Sequence, residues 1–112
     1  MGRWAQQRRR GGEAPASSPP PAPITITEVD LVDPTHVMVF FDNNVTFDPA
    51  AGPSSEFDVG GATPTGSLSG IGSTSVIVEL GSPCGIGDTW NVSSQPAWVV
   101  TAITTPATGT AG

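Results

Sequence analysis

Residues 37–42 read Val37-Met38-Val39-Phe40-Phe41-Asp42. Side chains alternate across an extended strand with a period of two, so Val37, Val39 and Phe41 share one face and Met38 and Phe40 the other. A strand apolar on both faces belongs in the middle of a sheet or under a covering partner. Upstream, Ile24 to Val32 (ITITEVDLV) gives a first strand, with a bulge near Glu28 where the apolar phase shifts. Between the two strands, Asp33-Pro34-Thr35-His36 is a turn. Pro34 presets φ, and the Asp33 carboxylate accepts from the backbone beyond it.

Downstream, Asn43-Asn44 is a turn, Val45 and Phe47 follow, and a loop runs through residue 55. Glu56 to Val59 is a short strand closed by Gly60-Gly61. Residues 62–73 are weakly patterned, with Leu68 and Ile71 as expected inward contacts. Residues 74–80 (TSVIVEL) are a firm strand with Val76, Val78 and Leu80 on one face. A turn-rich link over 82–88 leads to Thr89–Ser93, where Trp90 and Val92 point inward. Trp98 to Thr104 is expected as the last strand, and the Ala/Gly/Thr/Pro-rich residues 105–112 as a loose tail. Six or seven short strands without helical periodicity describe an all-β chain, an antiparallel β-sandwich. Its expected core is Val37, Val39, Phe41, Phe57, Val76, Val78, Leu80, Trp90 and Val92.

Charge divides the chain in two. Its four basic residues, Arg3, Arg8, Arg9 and Arg10, all lie in the first ten positions. Residues 1–23 carry these and one glutamate, +3; the rest carries nine acidic and no basic residues, −9, for a net −6. The head, MGRWAQQRRRGGEAPASSPPPAP, holds five prolines between Ala14 and Pro23 and reads as an extended, stiff arm. In a chain of 112 residues this leaves roughly 89 for a single domain, which buries about 60–65% of its unfolded surface. Cys84 is the sole cysteine, so no intramolecular disulfide reinforces the body. No run approaches the roughly 20 apolar residues of a membrane-spanning helix, and no apolar run follows the arginines as in a secretory signal.

The succession EVDLVDPTHVMVFFDNNV, FDVGG and TSVIVELGSPCGIGDTWNVS resembles a bacterial and phage immunoglobulin-like domain. The matching positions are Phe41, Asp42 and Val45, then Val76, Val78, Leu80, Pro83, Gly87, Asp88, Trp90 and Val92, within residues 24–104. The head GRWAQQRRRGG is similar to the start of small proteins in phage-derived gene neighbourhoods. Together the resemblances imply an immunoglobulin-like sandwich of about seven strands, carried as a phage virion component of the capsid-decoration or cement type. Core and turn positions carry the likeness, so it speaks to fold more than to function.

The site residues follow from chemistry. Arg3, Arg8, Arg9 and Arg10 pair with carboxylates, and Trp4 is an interface anchor, so the arm is expected to dock on a protein surface. The expected partners are a major capsid-type protein or further copies of the chain itself. Nucleic acid is disfavoured, because four charges release about four counterions and the acidic body repels a duplex. Asp42, Asp48, Asp58 and Asp88 lack a calcium-loop spacing, and Asp42 and Asp88 read as strand-end and turn acceptors, so no metal is expected. With one histidine and no nucleophile elbow, neither catalytic residues nor a cofactor are expected. Trp90 and Trp98 would suit a sugar platform if exposed; Trp90 in phase with Val92 argues for the core. The expected function is therefore structural, in a virion. Its alternatives are an adhesive or glycan-binding module and a subunit of a self-assembling extracellular filament.

Overall fold

A computed structural model describes residues 24–51 and 55–112. The expected arm, with Arg3, Trp4, Arg8, Arg9 and Arg10, lies outside the described residues. Seven strands are formed: β1 (Ile26–Asp33), β2 (His36–Phe41), β3 (Phe57–Val59), β4 (Pro64–Ser69), β5 (Ser75–Leu80), β6 (Thr89–Val92) and β7 (Ala107–Thr110). One sheet has the order β1-β2-β5-β4 and the other β3-β6-β7, all ladders antiparallel. Lettered A to G in chain order, this is the ABED/CFG arrangement of the constant-type immunoglobulin fold. No helix occurs among the described residues.

The alternation that marks the strands also builds the core. In β2 and β5 buried and half-buried residues alternate without a break. Val37, Val39, Val76 and Val78 are wholly buried, and Phe57, Val59, Trp90 and Val92 face them from the other sheet. Phe41 and Leu80 complete the expected core at 5% and 3% exposure. Trp98 is buried too and meets Phe57 edge to face, ring centroids 5.8 Å apart. β2 is internal to its sheet, and Met38 and Phe40 on its second face are half-buried. The register of β1 on β2 shifts between Ile26 and Glu28, where the sequence phase changes.

Three expectations need correction. Residues 105–112 are no loose tail: β7 pairs along β6, and Ala111 is buried. Its Ala-Thr-Gly-Thr sequence carries almost no apolar signal, because the strand is held by its ladder and by Trp90. Gly109 lies opposite that ring, and a Cβ there would sit 2.6 Å from the indole nitrogen. Trp98–Thr104 is not a strand. It crosses the end of the sandwich, making single bridges at Val99 to Phe47 and at Ile103 to Ile24. Ile71 is half exposed instead of inward, because it rides the β4–β5 turn.

Chain direction follows from the ladders. Ile24 bridges Ile103 in parallel, while near the other end Gly112 N–H donates to Val29 O (2.9 Å) and Gly112 O accepts from Leu31 N–H (2.8 Å). β1 and the C-terminal segment thus run the same way. Residue 24 sits at one pole of the sandwich, here called proximal, and residue 112 lies some six residues of strand nearer the other, distal pole, roughly 20 Å away.

Candidate interaction surface

The distal pole is made by the β1–β2 turn and the link between β5 and β6. Asp33 organises the turn: its Oδ1 accepts from Thr35 N–H (2.9 Å) and Thr35 Oγ1 (3.2 Å) and lies 2.8 Å from His36 Nδ1. The His36 contact, then the Thr35 amide, hold the Asp33 carboxyl below the usual aspartate range. Cys84 N–H donates to Pro34 O (2.8 Å) and Gly87 N–H to Ala111 O (2.9 Å), which tie the link to the turn and to the C-terminal segment. Asp88 Oδ2 accepts from Gly85 N–H (2.8 Å). The Gly60 backbone, at φ +60°, packs so close that a Cβ would lie 2.6 Å from Asp88 Oδ2. Burial, then the neighbouring Asp88 and Asp33 charges, push the Cys84 thiol up, away from a reactive thiolate.

The proximal pole is built from segment 42–48, the β4–β5 turn and the link 93–106. Thr25 N–H donates to Asp42 Oδ1 (2.9 Å) and Ala50 N–H to Asp48 Oδ1 (3.0 Å). Gln95 holds the long link: its Nε2 donates to Val99 O (2.8 Å) and Thr101 O (3.0 Å), and its Oε1 accepts from Ile103 N–H (3.0 Å). Sequence reading missed Gln95, since a lone glutamine in a loop carries no pattern that announces three backbone partners.

Each acidic residue weighed as a metal ligand accepts a backbone N–H: Asp48, Asp58 and Asp88 within their own turns, Asp58 from Gly61 N–H at 3.3 Å, and Asp42 from Thr25 across the sheet. Among the described residues no three His, Cys, Asp or Glu side chains cluster as a metal site would require. His36 is at the distal pole. A groove of about 430 Å³ lies on the other sheet, along β6 and β7. Asn91, Val92, Ser93, Pro106, Ala107 and Thr108 line it, so it offers hydrogen bonds and apolar contact but no titratable group. Trp90 and Trp98 are 4% and 2% exposed and present no ring face to a sugar. No helix of the described residues is long and apolar enough to cross a membrane.

What remains exposed and apolar is confined to the poles. The exposed large apolar residues among those described are Val32 and Ile86 at the distal pole and Ile71 and Val100 at the proximal pole. The sheet edges are partly blunted. The outer edge of β1 is taken up by Ile103 and Gly112, and β4 starts at a proline and has a register shift before Leu68.

No family model and no curated protein matches this sequence. Solved structures do match. The crystal structure of the S-layer protein rSbsC(31-844) aligns with a TM-score of 0.56 and 19% identity, covering 80% of this chain and 13% of that one. The structure of domains 1–6 of surface layer protein SbsC gives the same figures. The N-terminal part of the bacterial S-layer protein SbsC aligns at 0.52 and 20% identity over 81% of this chain and 24% of that one. This chain therefore spans a small fraction of the length of the structures it resembles. At such identities the likeness is one of fold: the sandwich described above is similar to a stretch of these much longer proteins.

Proposed function

We propose that this chain is a non-enzymatic structural module of a multi-copy surface assembly, a layer or a filament built from repeated subunits. The observation that carries the reading is the alignment itself: most of this chain superposes on a small part of S-layer proteins. The geometry agrees. The titratable side chains of the poles are spent on turns, and the groove along β6 and β7 holds no acid, base or nucleophile pair. The capsid-decoration reading rests on residues 1–23 and their docking to a capsid-type partner. That segment lies outside the described residues, and the matched structures are surface-layer proteins, which favours the extracellular-assembly alternative.

Electron microscopy of the purified full chain, concentrated stepwise, tests this. Ordered sheets or filaments are expected, with the protein recovered in the cell-surface fraction of the source cells. A chain that stays monomeric at millimolar concentration and is confined to the cell interior would overturn the reading.

A further inference from the structure

We propose that two copies of the sandwich pair through the outer face of the β1-β2-β5-β4 sheet, related by a two-fold axis that runs along the strands between β2 and β5. The inference rests on the assembly reading and names one of its contacts. Its first support is a face that is apolar where water is expected. An antiparallel sheet with one face on the core ordinarily turns polar side chains outward. Here the outward positions of the two central strands hold Met38, Phe40 and Ile77, all half-buried. None of the three belongs to the core cluster or packs against it.

The strand register lays the face out. Asp30 pairs with Met38, Met38 with Ile77 and Ile77 with Ser69, so these four form one row across the sheet. The row has an acid at the β1 edge and a hydroxyl at the β4 edge. On one side of it Glu28 pairs with Phe40 and Phe40 with Ser75; on the other His36 pairs with Glu79. Apolar groups thus follow the midline, with carboxylates on β1 and the exposed Ser67 and Ser69 on β4. Residues 59–78, which include β4, carry no charge at all.

This layout complements a second copy of itself, in one orientation. With the axis along the strands, β1 of one copy faces β4 of the other and β2 faces β5. Met38 then meets the partner's Ile77, Asp30 the partner's Ser69 and His36 the partner's Glu79. A serine hydroxyl can donate to a carboxylate. His36 is the one side chain of residues 24–112 that can carry a positive charge. It touches Asp33 through Nδ1 (2.8 Å), which leaves Nε2 for the partner's glutamate. An axis across the strands sets β1 on β1 instead, with Glu28 and Asp30 of both copies on one flank, and like charge disfavours it. The favoured pair is isologous and closed, a two-fold unit.

The contact is small. Four strands about 4.8 Å apart and six residues of about 3.4 Å each give a face of roughly 400 Å². A stable pair buries about 800 Å² per partner, so this one is weak alone and gains through repetition.

Full-length chains with Cys84→Ser supply a thiol-free background, into which Asp30→Cys and Ser69→Cys are introduced singly. Circular dichroism checks that each is folded. Packed sheets lie about 10 Å apart, beyond the reach of a disulfide, so the two proteins are mixed at high concentration with a short bis-maleimide. The mixed product should exceed either like-with-like product about tenfold, because the pair holds residue 30 against the partner's residue 69 and sets like positions on opposite flanks. Asp30→Cys dimers in excess would mean the other axis, and Ser69→Cys dimers in excess an edge contact along β4. Yields no higher than those of a Thr89→Cys control on the other sheet would mean a face left to water or to residues 1–23 of its own chain. Each of these three results overturns the pairing. Electron microscopy of Ile77→Lys, folded by the same check, separates this from the assembly reading. Sheets or filaments that persist in that variant retain the surface function and sink the face contact. A cross-linked mixed pair from a chain that never builds sheets or filaments retains the contact and sinks the function.

Discussion

The two sheets of the sandwich line the same core by different means. The β1-β2-β5-β4 sheet has strands of six to eight residues and buries many medium side chains: Val29, Val37, Val39, Val76 and Val78 are all wholly buried. The β3-β6-β7 sheet has strands of three to four residues and adds to Val59 and Val92 a few large rings: Phe57, Trp90 and, from the link 93–106, Trp98. Stability in the first is spread over interchangeable β-branched residues, which fit a pleated surface. In the second it is concentrated, so single changes there should be felt most.

Trp98→Ala sets the upper end of that contrast. It removes a fully buried ring from the Phe57 contact and from beneath the link 93–106, and should cost about 3–5 kcal/mol. Val39→Ala, equally buried in the long sheet, should cost about 1.5–3 kcal/mol. Urea unfolding of both variants decides the matter, and equal costs would break the comparison. Trp98→Phe sharpens it. The indole nitrogen is buried without a hydrogen-bond partner among the described residues. Exchange for phenylalanine therefore removes an unmet donor along with some volume, and should cost clearly less than alanine.

Gly109→Ala should destabilise by about 1–3 kcal/mol, because the added methyl must displace the Trp90 ring. The same change in a Trp90→Phe background should cost less, with a coupling of about 0.5–3 kcal/mol between the two sites. A simple sum of the two single costs would show that the close approach of ring and backbone is not what demands glycine.

This glycine also shows what a sequence can and cannot disclose. Alternation made β2, β5 and β6 legible, because a buried face and a period of two leave a direct trace in residue type. The phase slip at Glu28 was legible for the same reason; Asp33 and Asp88 were legible as turn acceptors and Asp42 as a strand-end acceptor. β7 left no such trace. Its pairing partner is supplied by backbone groups, and its one specific requirement, room for Trp90, appears as an unremarkable glycine in a Gly/Thr/Ala run. Trp98–Thr104 erred in the opposite direction: apolar residues were dense there, but they plug an end of the core and pair with nothing in register. The poles were illegible because exposure of Val32, Ile86 and Val100 depends on how segments far apart in sequence meet at each end.

Gln95→Ala probes the concentrated side through polar groups instead of volume. It strips Val99 O, Thr101 O and Ile103 N–H of their side-chain partner, and water can reach part of the site, so about 1–3 kcal/mol should be lost. Hydrogen exchange should localise the loss: the Ile103 amide should exchange faster while the amides of β2 and β5 are unaffected. A uniform rise across both sheets would mean that the link is no separate unit, and the contrast between sheets would lose its meaning.

The smallest effects belong to β1, on the robust side, and are set by pH. Asp33 has its folded pKa lowered, chiefly by His36, so the folded state binds its proton less tightly than the unfolded chain. Its contribution is present above the unfolded value, about pH 4, and disappears as pH falls through the lower folded value. Glu28 has the opposite sign. A hydrogen bond with Asp30, then the Asp30 charge, raises its pKa, so its contribution is present below the unfolded value and is lost as pH rises through the raised folded value. Both groups are at the surface, and salt should mute both. Asp33→Asn should flatten the acid limb of a thermal-midpoint profile below about pH 4, and Glu28→Gln should raise the midpoint slightly at neutral pH, where it relieves two adjacent carboxylates. Should Glu28→Gln instead lower the neutral midpoint, repulsion between Glu28 and Asp30 would not be what governs the edge of β1.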